Sequence, residues 1–139
     1  MSEVLWAAGL SEVRLQSMKE RTLIELWNKF RNQLIFAQLA PTFLLITTVG
    51  LVPEIRASGS FAVWATLGIL LASGILGALV EFSAAHEAQA VARDLGKLTK
   101  QSRVTRAIVR NSLWLYVAKY VTPVIFVGIF VALTAALLA

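Results

Sequence analysis

An all-α integral membrane protein is the fold class this sequence predicts, with three transmembrane helices preceded by an amphipathic interfacial helix. Of 139 residues, 58% are hydrophobic and 15% are charged, an apolar share above that of soluble domains. The excess is gathered into three blocks, near residues 33–52, 61–81 and 113–138. Each is long enough to cross a hydrocarbon layer of about 30 Å at about 1.5 Å per helical residue. The basic residues flank these blocks with few exceptions, as they do around membrane spans.

Residues 1–32 read as an N-terminal cytoplasmic segment. Met1 to Leu10 lack a basic stretch and a small-residue cleavage site, so they do not read as a signal peptide. From Ser11 to Leu34 the apolar residues Leu23, Trp27, Phe30 and Leu34 recur at three- and four-residue steps, with Arg21, Glu25, Lys29 and Asn32 between them. That periodicity predicts a helix with one apolar face. Its aromatic residues and basic flanks suit the headgroup layer, so it is expected to lie in the membrane interface.

Pro41 in the first span removes a backbone donor and predicts a kink. Pro53, Glu54, Arg56, Ser58 and Gly59 predict a short turn before the second span. The second span is apolar to Val80 and then admits Glu81, His86, Glu87, Arg93 and Asp94 without a helix breaker. A helix projecting beyond the span to about Leu95 is expected within the basic loop, residues 82–112. Asn111 and Ser112 are expected to cap the third span, which Lys119 and Pro123 interrupt.

Counting basic residues orients the chain. Arg14, Lys19, Arg21, Lys29 and Arg31 precede the first span, Arg56 alone lies in the first loop, and Arg93, Lys97, Lys100, Arg103, Arg106 and Arg110 lie in the second loop. Positive loops prefer the cytoplasm. Two spans separate the two basic regions, so both can lie on that side. The N-terminus is therefore expected in the cytoplasm and the C-terminus on the opposite side.

Small residues cluster in the second span at Gly68, Ser73, Gly74, Gly77 and Ala78. Pairs four apart let helix backbones approach closely, serving this chain's own bundle or a neighbouring subunit. Lys119 lies about two turns into the third span, where its ammonium either snorkels to the interface or pairs with Glu81 at the end of the second. Trp114, Tyr116 and Tyr120 suit an interfacial aromatic belt.

Chemistry is sparsely encoded. There is no cysteine and a single histidine, His86, so neither a thiolate site nor a paired imidazole is available. Nucleophile motifs and phosphate-cradling glycine loops are absent from the sequence. No enzymatic activity, metal or cofactor is expected, and the net charge of +5 points to anionic lipid headgroups on the cytoplasmic side rather than to nucleic acid. The order of interfacial helix, two spans, basic loop and third span is similar in layout to the membrane-anchor subunits of succinate dehydrogenase. The histidine such anchors use for haem has no counterpart, since residues 68–80 contain none.

The expectation is a non-enzymatic membrane subunit that packs with other integral membrane subunits, or with copies of itself, to anchor or stabilise an assembly. A small homo-oligomeric channel or holin-like pore is the alternative, with Gln33, Gln38, Thr42, Thr47, Thr48, Thr66, Ser73 and Lys119 as its only polar lining. A lipid-binding scaffold is a third reading.

Overall fold

The computed structural model describes residues 1–139 and is built from helices alone. Helix α1 runs from Ser2 to Ala57, α2 from Ser60 to Gly96, α3 from Arg103 to Asn111, α4 from Trp114 to Tyr116 and α5 from Thr122 to Leu138. A π-helical turn, Val117–Val121, joins α4 to α5. Three helical stretches are long and apolar enough to cross a membrane. Within their most apolar 18-residue windows only 11, 22 and 11% of residues are buried inside the chain, so the chain itself covers little of its apolar surface.

The 56 residues of α1 extend about 84 Å, far more than the first span requires. No break separates the expected interfacial helix from that span, and the boundary at residues 32 and 33 lies inside α1. The stripe of Leu23, Trp27, Phe30 and Leu34, expected to lie in the membrane interface, packs on the projecting half of α2. Trp27 and Leu34 are buried against Ala84, Ala85, Ala88, Val91, Ala92 and Leu95, with Leu23 and Phe30 at the edge. Two causes combine. No helix breaker lies between Leu23 and Pro41, and the alanine face of α2 lets α1 approach closely enough to bury large side chains. Each such leucine contributes about 1.5–3 kcal/mol.

Pro53 does not open the first turn. The helix continues through it to Ala57, and the chain reverses at Ser58 and Gly59, where Gly59 adopts φ +96°, a conformation that costs glycine little. Helix α2 then continues to Gly96. Within the expected loop the chain forms a further helix, α3, capped at Ser102, whose hydroxyl accepts from the Thr105 amide at 3.2 Å. Asn111 and Ser112 end α3 instead of capping the third span, and the Ser112 hydroxyl donates to the Val109 carbonyl at 2.8 Å.

Long-range contacts establish which ends lie together. Gln16 Nε2 donates to Thr99 Oγ1 at 2.9 Å and the Ser102 amide donates to Glu20 at 2.8 Å, which joins the two basic regions at one end. At the other end Val63, Leu67 and Leu137 pack with Ile55, placing the C-terminus beside the first turn. Between them Leu45, Leu70 and Leu133 bring all three long helices together.

Candidate functional site

Where α1, α2 and α5 meet, a cavity of about 200 Å³ is lined by Pro41, Gly74, Gly77, Phe126 and Phe130, with Gln38, Glu81 and Thr122 among its polar residues. The glycines shape its walls. A Cβ on Gly74 would lie 2.0 Å from Phe126 Cε1, and one on Gly77 would lie 2.8 Å from Pro41 Cγ. Both glycines therefore admit a ring from another helix of the same chain, which assigns this pair to internal packing. Ser73 and Ala78 are half-buried beside them, whereas Gly68 is exposed and has no atom within 4 Å of a built Cβ. Gly68 is thus not a packing residue of this bundle.

Glu81 is 4% exposed, and its Oε1 accepts from Gln38 Nε2 at 2.7 Å. A buried carboxyl needs such a partner, because an unsatisfied one costs several kcal/mol in an apolar surrounding. Its expected partner, Lys119, does not pair with it; the two ion pairs of the chain are the exposed Arg21–Glu25 and Asp94–Lys97. Lys119 is 8% exposed, with its ammonium 4.2 Å from the centroid of the Phe82 ring and 5.6 Å from that of Tyr120. These two rings meet edge to face at 6.5 Å. A cation over ring faces is stabilised by the aromatic quadrupole.

The π turn accounts for the altered pairing. Pro123 has no amide hydrogen to donate to the Lys119 carbonyl four residues earlier. The backbone widens over Val117–Val121, and one extra residue in a turn rotates the side chains before it by about 100° relative to a regular helix. Lys119 accordingly lies over Phe82, one residue along α2 from Glu81, and near the ring of Tyr120 in its own turn.

A second polar cluster lies outside the apolar core. Glu20 of α1 accepts hydrogen bonds from the Thr105 hydroxyl and the Ser102 amide, the first turn of α3. These donors, led by Thr105 and followed by Ser102, hold its carboxyl below the usual glutamate range. The contact fastens α3 across α1, and sequence reading missed it. The Ser102-x-x-Thr105 spacing is an N-cap signal that locates α3, but nothing local links it to Glu20.

The remaining polar side chains are dispersed. His86 is exposed on α2, and no group of three or more His, Cys, Asp or Glu side chains is close enough to hold a metal ion. Of the polar residues considered for a pore, Thr47, Thr48 and Thr66 donate to carbonyls four residues back within their own helices, and Gln38 is engaged by Glu81. What the arrangement provides chemically is an amide–carboxyl clasp between α1 and α2 at an apolar cavity. Comparison with protein-family models, curated proteins and solved structures gave no match for this chain.

Proposed function

We propose that this chain is a multi-pass membrane subunit that holds its three spans in the bilayer and presents the N-terminal part of α1 to a protein partner, anchoring or stabilising a larger assembly. One observation carries the reading. Every residue from Met1 to Leu15 is exposed, because α1 passes its last contacts with the rest of the chain near Gln16. Trp6, Leu10 and Val13 recur there at four- and three-residue spacing and are 71, 52 and 49% exposed. These side chains have little burial within the chain, and Gly9 weakens this end of α1 by about 0.5–1 kcal/mol relative to alanine. A partner helix seated on this stripe supplies the missing burial.

The test is purification in mild detergent with and without residues 2–15. A discrete hetero-complex from the full chain, lost from the truncated chain while its three-helix unit keeps its melting temperature, is expected. A ring of identical chains that conducts ions in liposomes would replace this reading with the channel. A monomer with no companion, unchanged by truncation, would refute the anchoring role.

A further inference from the structure

Helix α3 presents two unlike faces. Thr105 is fully buried, and Ile108 and Val109 pack on the cluster around Leu95 and Leu115. Arg103, Arg106 and Arg110 are exposed on the outside. A groove between α1 and α3 has Arg31, Arg110 and Asn111 on its walls and Trp27, Ile108 and Trp114 among its apolar residues. A second concavity beside it, ringed by Arg103, Arg106 and Arg110, shares Arg110 and Ala107 with the first. No carboxylate lines either concavity, and none of the four arginines belongs to an ion pair.

Four guanidinium groups without a counter-charge repel one another and favour a bound anion. Arginine, unlike lysine, offers a planar fork that binds phosphate through two hydrogen bonds. The apolar side of the first groove, with exposed Leu113 and Trp114, leads directly onto the third span. A phosphate held between Arg31 and Arg110 can therefore send acyl chains along α4 and α5, which a free phosphate does not need. The second arginine concavity next to it is a separate place for a second phosphate.

We propose that these joined grooves bind a membrane phospholipid carrying two phosphates, one between Arg31 and Arg110 and the other at Arg103 and Arg106. The site rests on the membrane placement proposed above and is independent of any protein partner.

Native mass spectrometry of the full chain in detergent, titrated with tetraoleoyl cardiolipin or dioleoylphosphatidylglycerol, tests it. Wild type is expected to bind the two-phosphate lipid about tenfold or more tightly than the one-phosphate lipid. The double variant Arg103→Gln/Arg106→Gln should lose that preference while still binding phosphatidylglycerol. Arg31→Gln/Arg110→Gln should weaken both lipids by about tenfold or more. All four side chains are exposed, and circular dichroism melting verifies that each variant remains folded. Lys97→Gln/Lys100→Gln, which removes the same charge from the neighbouring turn, should leave both affinities unchanged. Equal binding of the two lipids, or an equal loss in the lysine variant, would overturn the proposal in favour of diffuse attraction. Displacement of the lipid by an equimolar amount of inorganic pyrophosphate would overturn it in favour of a soluble anion. Failure of the chain to enter liposomes at all would instead count against the membrane placement.

Discussion

Gln38 and Glu81, 43 positions apart in sequence, are joined by a hydrogen bond of 2.7 Å, whereas Lys119, the charged candidate for Glu81, turns to Phe82. Removing the amide leaves a buried acceptor unsatisfied, so Gln38→Leu should destabilise the chain by about 1–3 kcal/mol. Glu81→Leu should be costly alone, and the double change should be milder than the sum, since both polar groups then disappear together. The same cycle on Lys119→Met and Glu81→Leu should show a smaller coupling. Thermal unfolding in one detergent checks both cycles, and a larger coupling for the lysine pair would mean that an ion pair forms after all.

Gly74→Ala places a methyl 2.0 Å from Phe126, so the ring must move. The expected loss is about 1–3 kcal/mol, partly recovered by adding Phe126→Leu. Gly68→Ala meets nothing within 4 Å and should leave the melting temperature unchanged or raised. An unchanged melting temperature for Gly74→Ala would show that α2 and α5 do not approach each other at this point.

The Glu20 contact gives stability a pH dependence of known sign. Its carboxyl is held below the usual glutamate range in the folded chain, so the unfolded chain binds the proton more readily. The contribution is therefore fully present above the unfolded value of about 4.3 and is lost as pH falls through the lower folded value. Glu20→Gln should lower α3 protection in hydrogen exchange at pH 7, and the gap between variant and wild type should close on acidification. A gap that widened toward low pH would contradict the assignment.

Because the chain has no cysteine, single cysteines report topology without background. Ser2→Cys and Ser102→Cys should label from the cytoplasmic side of oriented membranes, and Ser58→Cys and Ala139→Cys from the other. Labelling of Ser2 and Ser102 from opposite sides would contradict the hydrogen bonds that place Gln16 beside Thr99 and Glu20 beside Ser102.

Much of the architecture was legible because it depends on local composition. Three apolar blocks and the continuation of α2 past Glu81 follow from residue type and periodicity along one segment. The stripe of Leu23, Trp27, Phe30 and Leu34 was visible for the same reason, and so was the pair Gly74 and Gly77. Each shows that a helix has a face suited to close contact. Neither shows what occupies that face.

Tertiary structure decided the occupants. Trp27 and Leu34 lie on the alanines of α2, because the reversal at Ser58 and Gly59 lays α1 and α2 side by side. Gly74 receives Phe126 and Gly77 receives Pro41, contacts set by helix rotation, which no periodicity specifies. Lys119 lies over Phe82 instead of Glu81, in a third helix whose phase the π turn before Pro123 alters, and the Glu81 carboxyl accepts from an amide of α1. Sequence alone determined that the chain is three long apolar helices with basic flanks, since hydrophobic periodicity is a property of one helix at a time. Pairing of buried polar groups depends on the relative rotation of two or three helices, which exists only once they are packed.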